Sequence, residues 1–553
     1  MSNIDNPNKF IQFSENAATL THPTEIPGGV VAAIPSKSHA HRLLIAAALS
    51  RTPVRLLCPT TSKDIDATAD CLRAMGTVVE RTEEGFLVSG GCRDIASDSA
   101  ASLHVGESGS TLRFLLPVLG ALGRTAELHM QGRLSERPLS PLYEEMCRHG
   151  ISLSPQGTNP LQIRGNMTAG TYVIDGGVSS QYITGLLFAL PLLSGDSRLV
   201  ITGRLESRPY VDITLQVLRE FGITVRCTEP AQDPEQPEAS ILYEIPGGQE
   251  YRCESQNDVE EDRHGQRTDT EEDRHGQRTD KEDGHSIQRN NTEDNRHRPI
   301  IDPAEVHSEQ QLDTNAALSE SQSDISPVPV IRVEGDWSNT AFFLTAGALL
   351  EQPVTVTGCN LQSPQGDRAI VGLLREFGAE IEVRDTSSGS PEDVRYAADS
   401  TASHRSLTDI TVRGGHLKGI EIDAADIPDL VPILSVAAAY AEGTTLIRNI
   451  ERLRIKESDR VATVLELLSG LGAEAKLVPD PSDPSKEAMC ITGSSELRGG
   501  TVSSHNDHRI AMAAAIASLR CKEPVILEDP MAVRKSYPGF YQDLERILIT
   551  LPR

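Results

Sequence analysis

Five times along the chain, a stretch with apolar residues at helical spacing runs into a glycine and emerges alternating. The copies are CLRAMGTVVE (71–80), EMCRHGISLS (145–154), VLREFGITVR (217–226), LLREFGAEIEV (373–383) and LLSGLGAEAKLV (467–478). The first half of each predicts the end of an amphipathic helix, the second a half-buried strand. Gly76, Gly150, Gly222, Gly378 and Gly472 fall just past the helix, where a left-handed backbone costs glycine nothing. The copies recur every ~70–95 residues once one polar segment is set aside. The pattern predicts about six α/β units, which divide into two domains of three.

The segment set aside is 253–326. No aromatic residue occurs between Tyr251 and Trp337, and a tandem repeat, EEDRHGQRTDT (260–270) then EEDRHGQRTDK (271–281), lies within it. Such a composition cannot bury enough apolar surface to offset the entropy of ordering, so a disordered acidic insertion is expected. Its histidines, among them His264, His275, His285 and His297, ride on low-complexity sequence, which explains them without a metal. The remaining ~480 residues suffice for two domains with real cores.

Charge and composition narrow the function. Lys and Arg number 52 against 79 Asp and Glu, a net charge of −27, which disfavours nucleic acid as a partner. No apolar run approaches the ~18 residues needed to span a membrane. The start, MSNIDNP, has neither the basic nor the apolar region of a secretory signal. The nine cysteines are scattered with no Cys-x-x-Cys pair, which predicts reduced thiols and a cytoplasmic location.

Against this acidic background, cationic stretches stand beside Gly, Ser or carboxylates. In Pro35-Ser36-Lys37-Ser38-His39-Ala40-His41-Arg42, Ser36 or Ser38 can cap the apolar helix that follows, with Lys37 at its positive end. The loop Gly106-Glu107-Ser108-Gly109-Ser110-Thr111-Leu112-Arg113-Phe114 lets backbone N–H groups approach an oxyanion but lacks the Gly-Lys-Ser/Thr of a P-loop. Gly132-Arg133-Leu134-Ser135-Glu136-Arg137-Pro138 offers arginine in a turn, suited to bidentate recognition of carboxylate or phosphate. Ser179-Ser180-Gln181 and Ser207-Arg208-Pro209-Tyr210 supply hydroxyls and an amide for a polyol phosphate. Lys456 and Arg460 share a face if 452–460 is helical, and Asn506-Asp507-His508-Arg509 precedes a small apolar run, with Lys535 downstream. Each stretch alone is equally a capped helix or a solvated charged face; together they suit a small substrate with several negative charges. No HExxH, Cys/His ligand spacing or GxGxxG points to a metal or dinucleotide.

These motifs, with Val333-Glu334-Gly335-Asp336, Gln365-Gly366-Asp367 and Ile427-Pro428-Asp429 in the same order, resemble the enolpyruvyl transferases of the 5-enolpyruvylshikimate-3-phosphate synthase family over nearly the whole chain outside the insertion. The resemblance implies an α/β fold of two domains, each of three βαβαββ units. The first would comprise 1–34 and 332–553, the second 35–252, with a return crossover at 327–331 and the insertion at 253–326. It implies that the 5-hydroxyl of shikimate 3-phosphate adds to C2 of phosphoenolpyruvate, followed by loss of phosphate. Lys37, Gly109, Arg133, Gln181, Arg460, Arg509 and Lys535 would hold phosphoenolpyruvate. Lys37, Ser38, Arg42, Ser179, Ser180, Gln181, Ser207, Tyr210, Asp429, Arg452 and Lys456 would hold shikimate 3-phosphate. Asp429 is the implied base, Glu457 the acid for the methylene carbon, and Lys37 a second proton carrier. No cofactor or metal is implied; the expected partners are the two small substrates, and the expected state is a monomer.

Departures from the family pattern fall in the glycine loop, where Glu107 replaces the usual amide and Phe114 a proline, at His39 and His41, and at Arg452, where some members carry asparagine. The sister transferase acting on UDP-N-acetylglucosamine is expected to have Lys-Asn in place of Lys37-Ser38 and a mobile-loop cysteine, and no cysteine lies in 109–138. A non-catalytic scaffold displaying the insertion would show an eroded site, whereas the charged positions are filled.

Overall fold

The computed structural model describes residues 10–22, 25–91, 100–229, 241–253, 328–386 and 407–549. The strands among them form six four-stranded sheets of one topology: a parallel pair, then two antiparallel neighbours. The stretch 101–165 shows the unit in chain order. Strand Ala101–Gly106, helix Gly109–Ala121, strand Ala126–Met130, helix Leu142–Arg148, then strands Ile151–Leu153 and Leu161–Gly165 give a βαβαββ unit. The first two strands pair in parallel across their helix, and the closing hairpin adds antiparallel to the second.

The five punctuating glycines behave as their sequence context predicts. Gly76, Gly150, Gly222, Gly378 and Gly472 have φ of 93°, 95°, 71°, 109° and 86°. They follow helices Lys63–Ala74, Leu142–Arg148, Arg208–Glu220, Ile370–Phe377 and Arg460–Gly470. The sixth unit has no such signature because the chain ends divide it. The N-terminal hairpin, Ile11–Phe13 and Ala17–Leu20, completes the sheet begun by Gly500–Ser503 and Val525–Glu528.

Two hydrophobic cores organise these sheets. One gathers Ala40 to Cys253 together with Val333; the other gathers Ile11 to Val31 and Trp337 to Leu548. Their central helices are buried on every side, as in Trp337–Leu349, where each residue is buried, the polar Ser338, Asn339, Thr340 and Thr345 included. We propose that these cores mark the two domains expected from sequence. The expected insertion, apart from Cys253, lies outside the described residues.

The chain exchanges strands where it passes between cores. Strand Gly29–Ala32, leading into helix Lys37–Leu49 of one core, pairs in parallel with Val354–Cys359 of the other. Strand Val330–Arg332, leading into helix Trp337–Leu349, pairs in parallel with Val54–Leu57. The two connections run antiparallel through a Pro35–Gly335 bridge, with Ser36 N–H donating to Glu334 O (2.7 Å) and Asp336 N–H to Ile34 O (2.8 Å). Glycine is required at 335, since a Cβ there would lie 2.9 Å from both Ala33 Cβ and Gly358 O.

Candidate active site

Helix N-termini converge beside these connections. Ser36 caps helix Lys37–Leu49 by accepting from His39 N–H, Ser108 caps Gly109–Ala121, Ser179 caps Ser180–Ala189 and Asp507 caps His508–Ala517. Between them opens a cleft with about 1070 Å³ of empty space, its mouth included. Its lining contains Lys37, Ser38, Arg42, Gly109, Ser179, Ser180, Gln181, Ser207, Tyr210, Asp429, Arg452, Lys456, Glu457, Arg460 and Arg509. Of the residues singled out from sequence, Arg133 and Lys535 are not part of that lining.

Arg460 is the hub. Only 1% exposed, it donates through Nη1 to Asp429 Oδ1 (2.7 Å), through Nη2 to Glu457 Oε2 (2.6 Å) and through Nε to Asp507 Oδ2 (2.8 Å). Asp429, in the 3₁₀ turn Pro428–Leu430, also accepts from Tyr210 OH (2.9 Å) and Arg509 Nη2 (3.1 Å), with Lys456 Nζ 3.5 Å away. Burial would raise its carboxyl, but Arg509, Lys456, Arg460 and the Tyr210 hydroxyl hold it well below the usual range. Burial conversely pulls the Lys456 ammonium down to about 8 despite Asp429. Lys456 and Arg460 do meet on one carboxylate, though not along one helical face. Asp459 caps the helix by accepting from Val461 and Ala462 N–H, so Lys456 lies outside helix Arg460–Gly470.

Glu457 faces Arg460 and the buried His508, whose Nδ1 lies 3.3 Å from Glu457 Oε2. Burial opposes ionisation of Glu457, but the permanent charges of Arg460, Lys37 and Arg137 hold its carboxyl well below normal. Burial lowers His508 to about 3, which keeps the imidazole neutral near pH 7. Lys37 donates through Nζ to Asp64 Oδ2 (2.9 Å), and Asp64 and Glu457 outweigh burial to raise its pKa. Glu457, Asp507 and His508 each place one ligand atom within 4.8 Å of the others, but both carboxylates already bind Arg460, a set that fits a guanidinium better than a metal ion.

Arg452 Nη1 donates to Ser207 Oγ (2.8 Å) and lies 3.6 Å from Glu206 Oε2. Ser207 adopts a left-handed backbone, φ 56°, at the start of helix Arg208–Glu220. Arg42 reaches the cleft wall, but its guanidinium is engaged by Thr214 Oγ1, Ser38 O, Thr184 Oγ1 and Tyr210 O and stacks 4.9 Å over Phe114. Burial lowers it to about 9.

Arg113 and Arg137, lining residues without an assigned role in the sequence reading, share with Arg42 the lack of a carboxylate partner among the described residues. Arg113 Nη1 donates to Gln181 Oε1 (2.8 Å) and Nη2 to Pro138 O (3.2 Å). Among the described residues neither arginine has an ion pair, and the Nε of each is buried without a partner. Burial, then Arg137, lowers Arg113 to about 9. A Cβ on Gly109 would lie 2.7 Å from Arg113 Nη1 and 2.8 Å from Arg137 Nη1, so glycine lets both guanidiniums close over the helix N-terminus. Arg133 instead turns to solvent, 62% exposed and 3.2 Å from Glu136. The 3₁₀ turn Leu134–Glu136 separates the two arginines and sends them opposite ways.

The arrangement presents cations and hydroxyls to a polyanion around a carboxylate able to accept a hydroxyl proton. The sequence profile described as "EPSP synthase (3-phosphoshikimate 1-carboxyvinyltransferase)" matches residues 20–249 and 309–544. A 3-phosphoshikimate 1-carboxyvinyltransferase from Clostridium kluyveri is 33% identical over 527 residues, spanning 95% of this chain and 96% of its own. An EPSP synthase structure from Acinetobacter baumannii superposes with TM-score 0.65 at 21% identity, covering 96% of this chain and 98% of that one. The enolpyruvyl transferase NikO from Streptomyces tendae gives TM-score 0.59 at 17% identity, covering 95% and 96%.

Proposed function

This chain belongs to the EPSP synthase family, and from that premise we infer that it transfers the enolpyruvyl group of phosphoenolpyruvate to the 5-hydroxyl of shikimate 3-phosphate, releasing phosphate, in the shikimate pathway to chorismate and the aromatic amino acids. The observation that carries the reading to this chain's own residues is the Asp429–Arg460 centre, set in a cleft lined by hydroxyls and cations.

Asp429 accepts the proton of the 5-hydroxyl as that oxygen attacks C2. Arg460, Arg509 and Lys456 keep the carboxylate ionised and fixed in the polar wall. Ser38, Ser179, Ser180, Gln181, Ser207, Tyr210, Arg452 and Lys456 hold the phosphorylated ring. Lys37, Arg460, Arg509, Arg113 and Arg137 neutralise the phosphate and carboxylate of the donor, where preorganised charge acts most strongly. The methylene carbon takes a proton as the tetrahedral intermediate forms and loses one as phosphate departs. Lys37 holds its proton at neutral pH, whereas Glu457 is ionised before substrate binds. We therefore assign the first proton to Lys37 and its later removal to Glu457.

Among the described residues no helix is long and apolar enough to cross a membrane. We propose a cytoplasmic monomer with two small-molecule substrates and no nucleic acid partner. Phosphate release from phosphoenolpyruvate, measured with shikimate 3-phosphate and with UDP-N-acetylglucosamine in turn, tests the reading. Release with the second acceptor alone refutes it.

A further inference from the structure

The cations of the cleft fall into two electrostatic classes. Lys37, Arg460 and Arg509 each hold a carboxylate from their own surroundings. Lys535, beside the cleft rather than in its lining and bonded to the carbonyl of Asn506 two residues before His508, does too, but its partner belongs to the opposite core. Glu107, between strand Ala101–Gly106 and helix Gly109–Ala121, reaches across so that Oε2 accepts from Lys535 Nζ at 2.7 Å. The same oxygen accepts from Asn506 Nδ2 at 3.1 Å, and Lys535 Nζ donates to Asn506 O at 2.6 Å. Lys535 is 6% exposed, whereas the Glu107 side chain is 31% exposed. The ammonium is therefore fixed, and the carboxylate has solvent to retreat into.

The surroundings are built for this contact. His505 and Asn506 are consecutive non-glycine residues with left-handed backbones, φ 51° and 55°, a costly conformation that presents both the carbonyl and the amide of Asn506 to the ion pair. Gly132, φ 55°, lies flush beneath the carboxylate, and a Cβ there would sit 2.7 Å from Glu107 Oε2.

We propose that Glu107 is a specificity-determining residue that occupies the place of the substrate anion on Lys535. It lowers the affinity of the donor side for phosphoenolpyruvate and for the inorganic phosphate that leaves. Resting on the function proposed above, the effect is electrostatic. An oxyanion reaching Lys535 exchanges one negative partner for another, so its net gain is smaller than at the unpaired Arg113 and Arg137. When phosphate departs, Glu107 returns to the ammonium and closes the site to its product.

The test is a double-mutant cycle of Glu107→Gln and Lys535→Met, read by calorimetric binding of inorganic phosphate and by the KM for phosphoenolpyruvate. Glu107→Gln is expected to tighten phosphate binding and to lower that KM by about fivefold each, as befits a partly exposed ion pair. Shikimate 3-phosphate affinity is expected to stay within about twofold, and the Glu107→Gln effect is expected to vanish in the Lys535→Met background. Glu107→Asp, one methylene short of Lys535, is expected to shift both readouts in the same direction by less, and serves if the glutamine variant fails to fold. Weaker or unchanged phosphate binding in the Glu107 variants overturns the proposal, as does an effect that survives without Lys535. Phosphate binding needs no turnover, so a wild-type enzyme inactive on shikimate 3-phosphate counts against the proposed reaction and leaves this test standing.

Discussion

Replacing Asp429 by asparagine keeps the side chain's shape and removes the charge on which three cations converge. Arg460 Nη1, Arg509 Nη2 and Lys456 Nζ lie 2.7, 3.1 and 3.5 Å from its oxygens, and the side chain is 16% exposed. Unit charges ~4 Å apart interact by about 4 kcal/mol at an effective dielectric near 20, so three mutually repelling cations would lose their common counter-charge. Removing one partner of a buried pair costs about 3–5 kcal/mol, and we expect Asp429→Asn to lie in that range by denaturant unfolding. The same change leaves the cations free for substrate. Inorganic phosphate should therefore stabilise the variant more than the wild type, and tenfold tighter binding adds about 1.4 kcal/mol at saturation. Loss of the base should cut kcat by about 10²–10⁴ while the KM for phosphoenolpyruvate does not rise. The acid limb gives an independent check. The Asp429 carboxyl is depressed in the folded state, so its contribution is complete above the unfolded value, ~3.9, and is lost as pH falls through the folded value. A variant of wild-type stability, or one whose defect lies wholly in KM, would refute the assignment.

Four further outcomes follow from the same geometry. Glu457→Gln should lower kcat by about 10² with both KM values kept, whereas Lys37→Met should also raise the KM for phosphoenolpyruvate; steady-state kinetics separates them. Gly109→Ala places a methyl within 3 Å of Arg113 and Arg137 and should raise that KM by about tenfold with little change for shikimate 3-phosphate, as titration of each substrate will show. Because burial lowers Lys456 to about 8, kcat/KM for shikimate 3-phosphate should decline as pH rises through that value and flatten in Lys456→Arg; the native state meanwhile gains stability from there to ~10.4, where only the unfolded chain keeps that proton. Replacing 254–327 by a short Gly/Ser linker should leave kcat/KM within about tenfold of wild type. Arg51 N–H and Thr52 Oγ1 bond to Tyr251 O and Cys253 O while Arg55 N–H bonds to Pro329 O, so the two anchors meet one short run, no more than ~13 Å of extended chain.

What the sequence revealed and concealed follows the range of the interactions involved. The helix–glycine–strand copies depend on neighbours within a few residues, and all five of their glycines adopt positive φ. The exchange of Gly29–Ala32 and Val330–Arg332 between cores depends on partners hundreds of residues away, and no local pattern announces it. The same division holds in the cleft. Lys37, Arg460 and Arg509 stood out as cations in an acidic chain. Their pairing with carboxylates did not: Asp429, Glu457 and Asp507 were in view without any sign that all three meet Arg460, Asp64 lies 27 positions from Lys37, and Asp507 lies 47 from Arg460. Arg133 and Arg137 were equivalent candidates within one short motif, and only the intervening 3₁₀ turn determines which enters the cleft. His508 carried no spacing that marked it, because its interaction with Glu457 arises from two elements meeting at the Arg460 hub.

The strand exchange also explains how a site divided between two cores can be accurate. Lys37 belongs to a helix of one core, but its backbone N–H donates to Asp336 Oδ2 (3.0 Å), the cap of the leading helix of the other. Ser36 Oγ donates to Gln365 Oε1 (3.1 Å), which also accepts from Trp337 N–H (3.2 Å). The cationic end of each leading helix is thus tied to the other's cap through buried groups, and the position of Lys37 is set where the two connections cross. Fixing a reacting group at a crossing reduces how far relative motion of the cores can displace it, because displacement grows with distance from the axis of rotation. Lys535 and Glu107 form a further contact across the two cores, one whose carboxylate is partly exposed. A site built this way can hold its proton carrier in place while the contacts that admit and release anions exchange partners.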